Sequence, residues 1–149
     1  MIVFASNQEH HSNLLPWREL PQSQVILIPD KTDGTIDIEY LQDELKRHCT
    51  KNEESADSDA TLLIGCFSAA SNITGLLNDD LTITAILHQF GALAFWDYAT
   101  AAPHTHIDVN PKVTGDVDRL CKKDAVYFSC HKFLGGVQMS DIQIFGDTN

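Results

Sequence analysis

The sequence has little positive charge and no long apolar run, and these shortages exclude two classes of protein. Lys and Arg together number 10 against 21 Asp and Glu, so the net charge is −11. A strongly acidic chain is repelled by a phosphate backbone, and we expect no nucleic-acid partner. No stretch approaches the roughly 18 consecutive apolar residues of a membrane-spanning helix, so we expect no membrane partner.

Secretion signals and metal motifs are also missing. The first six residues lack the positive charge and the length of a signal peptide, which predicts a cytoplasmic protein. The four cysteines show neither C-x-x-C nor zinc spacing, so we expect reduced thiols. His104 and His106 are two residues apart and would share one face of a strand. No further set of ligands is spaced to complete a closed site, so we predict no metal. There is no G-x-S-x-G hydrolase motif.

Short apolar segments recur along the 149 residues and predict six strands. These are Ile2–Ser6, Val25–Ile28, Leu62–Phe67, Leu93–Trp96, Ala125–Phe128 and Ile142–Phe145. Three helices are predicted between them: a short one ending at Glu19 and capped by Ser12 or Asn13, Ile38–Cys49 capped by Asp37, and Asp80–Phe90 closed by Gly91. This alternation predicts an α/β fold with a mostly parallel, doubly wound sheet and flanking helices. The acidic stretch 50–60 is predicted to be a surface loop.

A cluster of polar side chains follows the fifth predicted strand. Ser129, His131 and Lys132 stand just past its carboxyl end, the edge where open α/β sheets bind ligands. A lysine there is either a solvated turn residue or an amine in a partly desolvated site that can react with a carbonyl group. The hydroxyl and the imidazole before it are suited to binding phosphate. Asn72 and Asp97 follow two other predicted strands, so we expect them at the same edge.

The segment Ser129–Lys132 resembles the Ser-x-His-Lys motif of class V aminotransferases, the pyridoxal-phosphate family that includes the cysteine desulfurases. Three other segments match that family in order: Glu9–Asn13, Ser71–Gly75 and Asp97–His104. The resemblance implies a fold-type I large domain, of which residues 1–149 match the central part. It also implies a homodimer for the full-length parent.

By this resemblance, Lys132 forms the Schiff base with pyridoxal 5′-phosphate and later moves the substrate's proton. Asp97 is implied to pair with the pyridine nitrogen. The sequence around it, taken without the resemblance, equally allows a carboxylate that caps the next turn. His10 resembles the histidine that stacks on the ring. The residues do not decide between His10 and His11, and the family pattern favours His10.

Four further positions carry implied contacts. Ser129 and His131 resemble the pair that holds the phosphate, and Asn72 resembles the residue that contacts the substrate carboxylate and the cofactor. Thr100 stands where many desulfurases have a Gln that contacts the ring hydroxyl. Thr is shorter, so that contact is either lost or rebuilt.

The implied activity is the transformation of a small amino-acid substrate by the full-length parent. The family's phosphate loop, its smaller C-terminal domain and its mobile catalytic cysteine have no counterpart in these residues, so we expect the isolated 149-residue chain to be inactive. One alternative is a truncated, non-catalytic protein that binds the cofactor weakly or not at all. Another is a flavodoxin-like binding module, which fits the sheet but leaves the Ser-x-His-Lys segment unexplained.

Overall fold

A computed structural model describes residues 1–54, 61–114, 118–137 and 142–145. Within these residues the strands are β1 (Ile2–Ser6), β2 (Gln24–Ile28), β3 (Leu63–Ser68), β4 (Leu93–Asp97), β5 (Ala125–Phe128) and β6 (Ile142–Phe145). The α-helices are α1 (His11–Glu19), α2 (Ile38–Glu54) and α3 (Asp80–Gln89), and two short 3₁₀ turns span Asp118–Leu120 and Cys130–Lys132. No helix in this part of the chain is long and apolar enough to cross a membrane.

The strands form one sheet in the order β2-β1-β3-β4-β5-β6. Strands β1 to β5 are parallel, and β6 pairs antiparallel with β5. From β1 the chain moves outward to β2, then crosses back to β3 on the other side of β1. The direction of winding therefore changes between β1 and β3, and ligands of such sheets bind at the carboxyl ends of the strands near that switch.

The two faces of the sheet are covered by different helices. On one face, the strand side chains Phe4, Phe67 and Trp96 share a core with residues of α2 and α3. The helix residues are Leu41, Leu45, Ile83 and Leu87. On the other face, Trp17 of α1 packs against a smaller cluster of Val3, Ile64 and Cys66. Helices therefore lie on both faces, because the central strands carry apolar side chains on each face that must be buried. This confirms the predicted α/β class and the doubly wound, mostly parallel sheet.

The approach of α3 to the sheet depends on a glycine in β3. A Cβ atom on Gly65 would lie 2.4 Å from Leu87 Cδ1, so only a hydrogen fits between strand and helix. At the end of α3 the chain turns through Gly91, whose φ is 69°. Ala92 N–H donates to Leu87 C=O and Gly91 N–H to His88 C=O, which satisfies the last carbonyls of the helix as the sequence predicted.

Two predictions of local structure were wrong. The cap of α1 is His10 rather than Ser12 or Asn13, because the His10 ring nitrogen Nδ1 accepts the Ser12 N–H at 3.2 Å. Helix α2 continues to Glu54, so residues 50–54 are helical where a loop was predicted, and 55–60 lie outside the described residues. The start of α2 was predicted correctly, since Asp37 Oδ1 accepts the Tyr40 N–H at 3.1 Å.

Candidate functional site

A cavity of about 700 Å³ lies at the carboxyl edge of the sheet, between the ends of β3, β4 and β5 and the start of α1. Its lining includes every residue singled out from the sequence as a site residue: His10, Asn72, Asp97, Thr100, Ser129, His131 and Lys132. These residues come from four separate segments, and the parallel strands bring their carboxyl ends to one edge. The cavity has the size of an ordinary small-molecule site.

Asp97 is the last residue of β4 and is held on two sides. Its backbone carbonyl accepts the Ala69 N–H at 2.8 Å, and its side-chain oxygen Oδ1 accepts the Ala99 N–H at 2.7 Å. The carboxylate therefore closes the turn after β4 while it lines the cavity. The sequence left two roles open for Asp97, a turn cap and a group that faces a ligand, and the geometry allows both at once.

The segment after β5 forms a tight 3₁₀ turn. Lys132 N–H donates to Ser129 C=O at 3.2 Å, and the turn needs glycine behind it, because a Cβ atom on Gly136 would lie 2.1 Å from the Cys130 carbonyl oxygen. Ser129 is buried, while His131 and Lys132 are exposed. The cavity thus has a hydroxyl inside and an imidazole and an amine at its rim.

His10 stands at the N-terminus of α1 with its ring oriented by local hydrogen bonds. Its Nδ1 lies 2.7 Å from Ser12 Oγ and accepts the Ser12 N–H. Of the two neighbouring imidazoles, His10 is the one that lines the cavity, and the His11 ring centroid lies 6.3 Å away from it. Because Nδ1 is an acceptor, the ring proton of neutral His10 is on Nε2.

Asn72 lies in an exposed loop after β3. The hydroxyl of Ser71 shapes this loop by accepting the N–H groups of Ile73 and Thr74, each at 3.3 Å. Such side-chain turns replace regular backbone pairing at a strand end. The loop places Asn72 on the cavity lining.

The sequence analysis did not predict that aromatic side chains line part of the cavity. Trp17 and Tyr127 both line the cavity, and Phe95 lies behind them with ring centroids 6.3 Å from Trp17 and 6.2 Å from Tyr127. Burial raises the pKa of Tyr127 to about 12, so its hydroxyl stays protonated near neutral pH. These residues occur in apolar segments, and the sequence pattern of a side chain that lines a cavity is the same there as that of a core side chain.

Glu9 was also missed as a contributor, although it lies in one of the segments that resemble the family. Its carboxylate is buried between β1, β3 and α1 and accepts from Ser68 N–H at 3.0 Å, Ser68 Oγ at 2.7 Å and Asn13 Nδ2 at 2.6 Å. Ser6 Oγ donates to it as well. The sequence carries no sign of this burial, because the network exists only once β1 and β3 are neighbours.

The lining suits a planar ligand with charges of both signs. The carboxylate of Asp97 can face a cationic group, and the hydroxyl, imidazole and amine of Ser129, His131 and Lys132 can bind an anionic one. Aromatic side chains can contact the faces of a ring. Such a donor set fits a phosphorylated heterocycle.

Comparison with known proteins assigns the family. The model of the family described as Aminotransferase class-V matches residues 2–137. A probable cysteine desulfurase of Halalkalibacterium halodurans is 33% identical over 110 residues, covering 72% of this chain and 24% of that protein. The structure of a NifS-like protein from Rickettsia africae superposes with a TM-score of 0.71 at 22% identity, over 95% of this chain and 33% of that one.

The cysteine desulfurase CsdA of Escherichia coli superposes with a TM-score of 0.63 at 25% identity, over 88% of this chain and 28% of that one. The chain spans about a quarter of the length of the curated relative that it matches. The match over residues 2–137 nevertheless covers nearly all of this chain, including the whole cavity lining. The chain therefore belongs to the aminotransferase class-V family.

Proposed function

We propose that this chain is the cofactor-binding part of a pyridoxal-phosphate-dependent enzyme that transforms a small amino acid. The observation that carries the proposal is the convergence of seven residues from four segments on one cavity. Family membership supports the same assignment. When bound, pyridoxal 5′-phosphate supplies an aldehyde that bonds reversibly to amines and a ring that accepts electrons.

The residues on the cavity fit this group. Lys132 offers its Nζ to the aldehyde, and Asp97 holds a proton on the ring nitrogen by its negative charge. Ser129 and His131 donate hydrogen bonds to the phosphate, and bonds of this charge-assisted kind are among the stronger ones in proteins. The free Lys132 amine would serve as the base that takes the proton from the α-carbon of the substrate.

The remaining lining residues orient the ring and the substrate. His10, at the start of α1, would stack on the ring, and Asn72, in the loop after β3, would donate to the substrate carboxylate. Thr100 lines the same cavity as Asp97 and would face the ring hydroxyl, but its side chain is shorter than the Gln of many desulfurases. The substrate is therefore a small molecule with an amino group and a carboxylate.

The Cys66 thiol is poorly suited to sulfur transfer. Cys66 is fully buried, and burial followed by the Glu9 charge raises the pKa of its thiol to about 12. A thiol with so high a pKa is a poor nucleophile. Among the described residues no cysteine lines the cavity. We expect no release of sulfide or alanine from cysteine by the 149-residue chain alone.

The test is covalent trapping. The chain is mixed with pyridoxal 5′-phosphate, reduced with borohydride and mapped by peptide mass. We expect the label on Lys132 and its loss in Lys132→Ala. In Asp97→Asn we expect binding weaker by about ten- to a hundred-fold, because one charge-assisted contact is worth about 1.5–3 kcal/mol. Lys46 is the matched control, since it is exposed on α2 and forms a surface pair with Asp43 at 3.6 Å. Lys46→Ala should leave the labelling of Lys132 unchanged.

An even distribution of label over the surface lysines would contradict the proposal. It would leave the alternative of a chain that keeps the fold but does not bind the cofactor. Label on Lys132 that does not respond to Asp97→Asn would support cofactor binding but remove Asp97 from the site.

A further inference from the structure

The Glu9 carboxylate is a buried group next to the cavity, and the roles proposed so far do not use it. The residue is 9% exposed. Each of its two carboxylate oxygens accepts two hydrogen bonds. Oε1 accepts from Ser6 Oγ and Ser68 N–H, and Oε2 accepts from Ser68 Oγ and Asn13 Nδ2. These four donors are all neutral. A buried charge without a cation is costly, so the position invites a functional explanation.

The geometry favours an ionised Glu9. The backbone N–H of Ser68 and the amide of Asn13 can only donate, and the Asn13 oxygen is engaged separately by the Cys66 thiol at 2.9 Å. The Gln8 N–H donates to the Ser6 hydroxyl oxygen, which leaves the Ser6 proton for Glu9. Burial raises the pKa of Glu9 above its usual value, while the bonds from Ser6, Ser68 and Asn13 act in the opposite direction.

The network connects Glu9 to the part of the cavity where Asp97 lies. Ser68 and Asn13, the partners of Glu9, are themselves on the cavity lining. Ser68 is the direct neighbour of Asp97 across the β3–β4 pairing, and such neighbours are about 5 Å apart. Because the Ser68 hydroxyl donates to Glu9, its oxygen is left as an acceptor on the cavity lining. Glu9 and Asp97 thus bring negative charge to the part of the cavity at the ends of β3 and β4, while His131 and Lys132 follow β5.

We propose that Glu9 supplies a second negative charge to this side of the cavity and, together with Asp97, selects the protonated ring of the cofactor. The inference rests on the proposed function. Glu9 also positions the start of α1, which carries His10. The two effects can be separated, because the charge can be removed without loss of volume and a hydrogen bond can be removed without loss of charge.

Glu9→Gln removes the charge and keeps the shape of the side chain. We expect the dissociation constant of pyridoxal 5′-phosphate to rise about ten-fold, the order of magnitude of a charge interaction across a partly buried site. The affinity for inorganic phosphate should stay equal or improve, since an anion gains from the loss of a negative charge. Ser6→Ala is the matched control: it removes one donor to Glu9, keeps the charge, and should change the cofactor affinity by less than about two-fold.

A second variant keeps the inference testable if Glu9→Gln does not fold. In Asp97→Asn the remaining carboxylate is Glu9, so the chain should still bind pyridoxal 5′-phosphate several-fold more tightly than the carbocyclic analogue with CH in place of the ring nitrogen. Equal affinity for the two ligands there would overturn the inference, as would an unchanged cofactor affinity in folded Glu9→Gln. If the wild-type chain is not labelled at Lys132, the proposed function fails and the Glu9 inference with it. If Lys132 is labelled in wild type and equally in Glu9→Gln, only the inference fails.

Discussion

The ion pair of His88 and Asp124 predicts a specific dependence of stability on pH. His88 Nε2 lies 2.8 Å from Asp124 Oδ2, and its Nδ1 lies 2.9 Å from the Leu120 carbonyl oxygen. Both partners can only accept, so the ring satisfies them together only when both of its nitrogens carry a proton. The pair joins α3 to the start of β5, and Asp124 also accepts the Ala94 N–H of β4 at 2.7 Å.

The signs of the two pKa shifts set the pH range. The hydrogen bond to Asp124 raises the pKa of His88 against the opposing effect of burial. Its contribution to stability is therefore complete below the unfolded value of about 6.5 and is lost as pH rises through the higher folded value. Burial acts to raise the pKa of Asp124, but the bonds from His88 and Ala94 lower it overall. Its contribution is present above about pH 4 and is lost as pH falls further.

The magnitude follows from the partial exposure of the pair. A hydrogen bond to a charged group is worth about 1.5–3 kcal/mol when it is well protected. The side chains of His88 and Asp124 are 16% and 24% exposed, so solvent screens part of the interaction. We expect a coupling free energy of about 1.5 kcal/mol near pH 6, decreasing to below about 0.5 kcal/mol at pH 9.

The assay is a double-mutant cycle with His88→Ala, Asp124→Ala and the double variant. Urea unfolding followed by tryptophan fluorescence reports the core, because Trp96 is fully buried. Lys46 and Asp43, an exposed pair at 3.6 Å, provide the control cycle, and their coupling should be close to zero at every pH. A His88–Asp124 coupling that is the same at pH 6 and pH 9 would refute the doubly protonated imidazole.

Two further predictions concern packing and charge inside the domain. Gly65→Ala should destabilise the fold by about 2 kcal/mol or more, since the new methyl would overlap Leu87, and urea unfolding that matches wild type would contradict the close approach of α3. Lys123→Met should cost about 2–3 kcal/mol, because the ammonium of Lys123, a side chain that is 2% exposed, bonds Asp80 at 2.9 Å. Its loss leaves the Asp80 side chain, which is 27% exposed, without this partner. A thermal midpoint unchanged in Lys123→Met would show that water replaces the lysine.

The sequence was a good guide to strands and to the edge that carries the site. Short apolar segments ending in polar residues predicted every strand to within one residue at each end, for example Leu93–Trp96 against the observed Leu93–Asp97. Strand alternation with helices then predicted parallel pairing. Because parallel strands end at one edge, Asn72, Asp97 and Lys132 could be expected on one cavity before any coordinates were known.

Local structure was less predictable where backbone and side-chain bonding compete. The Ser12 and Asn13 side chains are good caps in isolation, yet His10 caps α1, and Asn13 instead bonds Glu9 and Cys66 of β3. The polar composition of residues 50–54 predicted a loop, although α2 continues to Glu54. Charged residues are tolerated on a solvent-facing helix surface, so composition alone does not mark a helix end.

The fold class, the family and the edge on which the site lies could be predicted from the sequence, because these depend on periodicity and on short local motifs. The side chains that other segments contribute to the surroundings of the cavity could not be predicted, because they come together only in the folded chain. The buried carboxylate of Glu9 and the ring contacts of Trp17 with Phe95 exist only after β1, β3 and β4 are placed side by side. The physical reason is that burial and charge interaction depend on distances between segments, and these distances are set by the order of strands in the sheet.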